Sequence, residues 1–309
     1  MFNSFIIRLF RVSMKLLSVL FFNIPKIFKI LKFNEKNRFY RSILIGQTVL
    51  LLKKILKSLN YNLPITISKD KVIVEVDGVL IVTDKINRYF KISGNDKYYN
   101  QAKIISEFFD FPNKSIFIDI GACVGEYSIY FAKKFPLSKI YSIEANENNL
   151  KILKDNIRIN KTERQIKIFE NAISNIKNQN YSVTEKGQES EVIISNNVSL
   201  KKTITLSSLI SEEKIEKIDF LKIDIEGSNY KIAKCIIDNF SKINAIQYEF
   251  SKGPSNIFLD LINQSSSVYN FYILQENKFQ KINETNLKIK IQNEGSEKEI
   301  NFDVFFKKK

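Results

Sequence analysis

"FIDIGACVGEYSIYFAK", residues 117–133, is an apolar run that meets an acid at Asp119, turns on Gly121 and Gly125, and resumes with helical spacing. Two glycines four apart let the backbone turn sharply and approach a ligand with no Cβ in the way. Working outward, "KSIFIDI" reads as a strand, residues 126–134 as a helix, "KIYSIEA" as a strand and "NNLKILKDNIRIN" as a helix. "IKIFENAIS", "KIDFLKIDIEG" and "KINAIQYEF" supply three more strands, the last two after a polar segment. "NFYILQE" and "INFDVFF" offer an antiparallel pair for one edge. This alternation predicts an α/β fold around a mostly parallel, Rossmann-like sheet.

Ligands of such sheets bind beyond the carboxyl ends of the strands, next to the point where strand order reverses. Polar residues stand at those ends: Asp119, Glu144, Glu170 with Asn171, Asp224 with Glu226, and Glu249. Glu144 ends the strand after the glycine turn, where a carboxylate can accept both hydroxyl protons of a ribose. A dinucleotide site expects G-x-G-x-x-G with the pyrophosphate at the helix N-terminus. Here Cys123 occupies the place of the second glycine, and Asp119 and Glu126 flank the turn, which disfavours a doubly anionic group. A cationic sulfonium suits acid-rimmed surroundings better, so S-adenosylmethionine is the expected cofactor.

The 309 residues contain no histidine, which removes the commonest catalytic base and transition-metal ligand. Proton transfer must use Asp, Glu, Lys, Tyr or water. Asp224 is the first candidate base and Glu226 the second. Lys222 alternates with them along one strand and so shares their face, where it could pair with a carboxylate or a substrate anion. Asp224, Glu226 and Glu249 could also gather around Mg²⁺, but an ordinary hydrogen-bonded acidic rim is the favoured reading and no metal is assigned. Cys123 and Cys235 show neither a disulfide framework nor zinc-ligand spacing, which fits a reducing compartment.

The net charge of +15 is localised. Residues 1–60 hold twelve Lys and Arg against one acid, Glu35, leaving the remainder close to balanced. The two uncharged runs of that segment, Leu16 to Pro25 and Ser42 to Leu52, are far shorter than the roughly 18–20 residues a membrane span needs. Two readings stay open for residues 1–33: a basic amphipathic surface lying on an anionic membrane, or one packed on the rest of the protein or a second copy. "KVIVEVDGVLIVTD", residues 71–84, is a hairpin signal centred on Asp77-Gly78, and residues 97–109 read as a helix. The expected organisation is a basic extension over 1–96 and a catalytic domain over 97–309.

"FIDIGACVGEYSIYFA", "IYSIEANENNLKILKDNIRIN", "NAIS", "TITLSSLI" and "IDFLKIDIEGSNYKIAKC" together resemble the ordered motifs of the FkbM-type S-adenosylmethionine-dependent methyltransferases. The resemblance runs from about residue 97 to the C-terminus. It implies a seven-stranded methyltransferase sheet and O-methylation of a hydroxyl, often on a sugar of a glycan, lipid or secondary metabolite. The matching positions assign the cofactor to Asp119, Gly121, Ala122, Cys123, Gly125, Glu144, Ala145, Asn171, Ala172 and Asp224. The chain departs from the family pattern at Cys123 (usually Asn), Ala145 (usually Pro), Ser207 (commonly Asp) and Asn229 (often an acid). The expected partner is a small-molecule or glycan acceptor, at a cytoplasmic site near the inner face of the membrane, with the oligomeric state left open. A nucleic-acid methyltransferase using the basic segment is disfavoured, because aromatic residues there alternate with aliphatic ones and form no stacking platform. A non-catalytic membrane-associated binding protein is the third reading.

Overall fold

The computed structural model describes residues 65–68, 71–76, 79–83, 97–186, 189–194, 201–225, 228–250, 253–295 and 302–309. The basic segment 1–60 and Glu226 lie outside the described residues. The main compact unit is Pro64–Lys309.

Its centre is an eight-stranded sheet. Strands β4 (Ile116–Ile120), β5 (Lys139–Ile143), β6 (Ile166–Phe169), β9 (Phe220–Ile223) and β10 (Ala245–Phe250) run parallel, joined through helices α2 (Glu126–Lys134), α3 (Glu147–Ile159), α4 (Leu206–Glu212) and α5 (Ala233–Ile237). Strands β11 (Tyr269–Gln275), β12 (Lys278–Ile282) and β13 (Phe302–Lys308) complete it in the order β12-β11-β13-β10-β9-β4-β5-β6. Helices α6 (Ser255–Ser265) and α7 (Glu284–Gly295) flank the last strands, and α1 (Lys97–Phe109) precedes β4. The expected α/β architecture is therefore present, with β13 inserted antiparallel between β10 and β11 and with β12 as an eighth strand.

The alternating faces of the central strands explain the layering. Ile118, Ile120, Leu221 and Ile223 join Tyr141, Ile143, Leu206, Leu209 and Ile236 in one buried core. The opposite face begins as a phenylalanine layer, in which Phe117 stacks on Phe131 at 4.5 Å between ring centroids and Phe111 packs edge-on against Phe117. Along that second face the chemistry changes towards the carboxyl ends. Phe117 is followed by Asp119 and Gly121, and Phe220 by Lys222 and Asp224. Register places Ser142, Asp119, Lys222 and Gln247 side by side across β5, β4, β9 and β10. One sheet face thus passes from an aromatic core to a charged row within two residues of the rim.

Two features go beyond the sequence reading. The hairpin at 71–84 is part of a three-stranded antiparallel sheet, β1 (Ile65–Ser68), β2 (Lys71–Val76) and β3 (Val79–Thr83), with Val79, Ile81 and Val82 buried. It belongs to the same compact unit as the large sheet. The polar segment after β6 contains a second hairpin, β7 (Tyr181–Lys186) and β8 (Glu189–Ile194).

Candidate active site

Strand order reverses beside β4: β5 and β6 lie to one side, β9 and β10 to the other. The turns leaving β4 and β9 meet there. Gly121 has φ +79, and a Cβ on it would lie 1.8 Å from the carbonyl oxygen of Asp224. Only glycine fits, and its smallness brings Asp224 against the turn. Both Gly121 and Ala122 donate backbone N–H groups to the Ile143 carbonyl at 3.0 Å, tying the turn to the end of β5. Gly125, at φ +92, caps α2 and donates to the Ala122 carbonyl at 2.8 Å. Between them Cys123 also takes a left-handed conformation, φ 53. Asparagine adopts that region more readily than cysteine, which gives the usual family residue at this position a backbone reason.

Glu144 is buried beside this turn. One carboxylate oxygen accepts from the Cys123 N–H at 2.8 Å, the other from the Asn146 N–H at 2.7 Å. Asn146 in turn caps α3, its side-chain oxygen accepting from the Asn148 and Asn149 amides. The carboxylate is held between a loop and a helix start, so its position does not depend on side-chain rotamer preference alone. Burial raises its pKa, and the N–H groups of Asn146 and Cys123 counter only part of that effect. Ala145 is half-buried next to it.

Across the strand ends, Lys222 Nζ lies 3.4 Å from Asp119 Oδ1 and 3.2 Å from Asp224 Oδ2, with the Tyr127 ring 5.0 Å away. Burial alone would pull this ammonium towards deprotonation, but Asp224 and Asp119 outweigh it and hold the pKa well above the ordinary lysine value. Lys222 is therefore the charged partner of two carboxylates. Asp119, expected at the cofactor, is buried beneath the turn: Ser128 donates to its Oδ2 at 2.6 Å and Lys222 faces Oδ1. Asp224 is the partly exposed member, with 15% of its side chain accessible.

The remaining expected residues fall nearby or elsewhere. Asn171 donates to the Lys202 carbonyl at 2.9 Å, and the buried Ala172 accepts from the Ile204 N–H, so both bind the segment that follows β8. Glu249 is buried and accepts from Asn229 Nδ2 at 3.2 Å. Asn229 Oδ1 accepts from the Ile225 N–H as well. An amide does both tasks at once, which a carboxylate at this position would not. Among the described residues no three Cys, Asp or Glu side chains are grouped as a metal-ligand set. The contact of Tyr127 with Lys222 follows from facing helix and strand positions that no linear motif displays.

The site thus combines a turn with no room for a Cβ at Gly121 and a carboxylate fixed beside it at Glu144. The family model of the methyltransferase FkbM domain matches residues 119–265, just under half of the chain, spanning both the turn and Asp224. The chain carries a methyltransferase FkbM domain. It is an S-adenosylmethionine-dependent methyltransferase, and the FkbM domain contains every described residue assigned above to the cofactor.

Solved structures similar to this chain include a methyltransferase FkbM from Methylobacillus flagellatus KT, 16% identical, covering 68% of this chain and 48% of that one at TM-score 0.43. The chain thus spans about half the length of that protein. A precorrin-6y C5,15-methyltransferase from Geobacter metallireducens GS-15 is 10% identical, with 70% and 90% covered and TM-score 0.40. TYW2 of P. horikoshii, solved with MeSAdo, is 12% identical, with 80% and 71% covered and TM-score 0.43. No curated protein matches the chain.

Proposed function

We propose that the FkbM domain methylates a hydroxyl oxygen of a sugar, carried on a glycan, a lipid-linked saccharide or a secondary metabolite. The observation that carries this reading is Asp224: an oxygen base, partly exposed, packed against the Gly121 turn and flanked by the buried Lys222. S-adenosylmethionine supplies an electrophilic methyl group, transferred by in-line displacement. Gly121, Ala122, Cys123 and Gly125 would form the backbone cradle for it, Glu144 would accept from its ribose hydroxyls, and Ala145, Asn171 and Ala172 would complete the cofactor side. A sugar hydroxyl is a poor nucleophile while protonated, so a base within hydrogen-bond reach contributes about 10²–10⁴-fold. Asp224 takes that proton, and Lys222 holds the carboxylate in orientation while it does so. The remaining acceleration comes from holding the acceptor oxygen on axis with the methyl carbon.

No helix among the described residues is long and apolar enough to cross a membrane. The basic segment 1–33 is read as a peripheral contact with an anionic membrane surface at the cytoplasmic side, where such saccharides are assembled. Transfer assays with radiolabelled cofactor and a panel of nucleotide-linked and lipid-linked sugars test the reaction. Label should enter an alkali-stable ether on a sugar, and label entering only RNA or protein would overturn the sugar reading.

A further inference from the structure

Helix α3 meets strand β3 in an unusual way. Asn156, fully buried, accepts from the Val82 N–H at 2.5 Å and donates to the Val82 carbonyl at 3.1 Å. Asn160, one helical turn on, accepts from the Leu80 N–H at 2.9 Å and donates to the Leu80 carbonyl at 2.5 Å. The match is geometric: four helix residues rise about 6 Å and two strand residues about 6.7 Å. Two side-chain amides therefore take the place of a neighbouring strand and cover the edge of β3.

Asn156 makes one bond that Asn160 does not. Its Nδ2 also donates to the Val124 carbonyl at 2.8 Å, in the middle of the cofactor turn. Val124 sits between Cys123 and Gly125, both at positive φ, so this stretch is poorly held by its own backbone preferences. Bonds from outside hold it: Glu144 on the Cys123 N–H and Asn156 on the Val124 carbonyl. A single amide thus joins the small sheet, which lies ahead of the matched domain, to the loop that receives the cofactor.

We propose that Asn156 is a positioning residue for the cofactor turn, and that through it the β1–β3 sheet forms part of the S-adenosylmethionine cradle. The proposal rests on the cofactor reading above. Occupation of the turn steadies β3, and release of β3 loosens the turn.

The test pairs Asn156→Asp with Asn160→Asp. Either change turns an amide donor into an oxygen facing a β3 carbonyl and one further carbonyl, that of Val124 in the cofactor turn for the first and that of Asn156 within the helix end for the second. Calorimetry with S-adenosylhomocysteine should show about tenfold weaker binding for Asn156→Asp, the scale of one buried hydrogen bond lost. Asn160→Asp should bind as the wild type does, with both melting temperatures lowered to a similar extent. Amide hydrogen exchange of the wild type should slow at Val82 when S-adenosylhomocysteine is added, a readout that stands even if a variant does not fold. Equal loss of affinity in the two variants, or unchanged Val82 exchange, would overturn the positioning role. A folded wild type that does not bind S-adenosylhomocysteine would overturn the cofactor reading itself.

Discussion

The two sides of the switch point are built by opposite means. On the β4–β5 side the site is made of backbone: Gly121, Gly125 and the amides that fix Glu144. On the β9 side it is made of charge, with the Lys222 ammonium between Asp224 and the Asp119 carboxylate that β4 contributes and little exposed surface except at Asp224. The first side is fixed by close backbone packing and amide hydrogen bonds, and the second by an ion-paired row whose partly exposed member is Asp224. Affinity for the cofactor should therefore depend on shape, and turnover on electrostatics.

Substitutions can break or sharpen that division. The largest effect belongs to Gly121→Val, which forces a side chain into the Asp224 carbonyl at a positive φ. Calorimetry should detect no S-adenosylhomocysteine binding, and the melting temperature should fall. Lys222→Gln leaves the buried Asp119 and the partly exposed Asp224 without their cation and should cost about 3 kcal/mol in denaturant unfolding, the low end for a broken buried pair. The folded pKa of Lys222 is raised, so its contribution is full below the ordinary lysine value of 10.5 and is lost as pH rises through the higher folded one. The wild type should lose stability steeply in that alkaline range and the variant should not.

Asp224→Asn sharpens the contrast from the other side. Steady-state assays should show turnover down about 10²–10⁴-fold with cofactor affinity within a few-fold of wild type. Full turnover in this variant would move the base elsewhere. Glu144→Gln acts on the shape side. Burial raises the pKa of Glu144, so S-adenosylhomocysteine affinity should fall on acidification at a higher pH than it would for an ordinary glutamate. Binding by Glu144→Gln should be weaker at neutral pH and flat across the same range. The smallest effect is a gain: Cys123→Asn, at φ 53, should raise stability by about 0.5–1 kcal/mol with no loss of binding.

The backbone-built side was the more legible in sequence. Gly121, Gly125 and Glu144 recur at spacings that strand, turn and helix geometry impose, so a linear reading reaches them. The charged side was half legible. Alternation along β9 placed Lys222 and Asp224 on one face, but that Asp119 lies beneath the turn as a partner of Lys222 depends on β4 and β9 being neighbours in register. The hairpin β7–β8 escaped because "YSVTEKGQESEVII" mixes charge into both faces and lacks a long apolar alternation. The affiliation of β1–β3 with the main unit was hidden for another reason. It rests on Asn156 and Asn160, whose i, i+4 spacing within a helix carries no signal until a strand lies beside it.

The most direct measurement is a calorimetric titration of the full chain with S-adenosylhomocysteine, run beside Gly121→Val and Asp224→Asn. The division predicts one-to-one binding by the wild type and by Asp224→Asn, and none by Gly121→Val. Absence of binding to the folded wild type, or equal loss in the two variants, would contradict it.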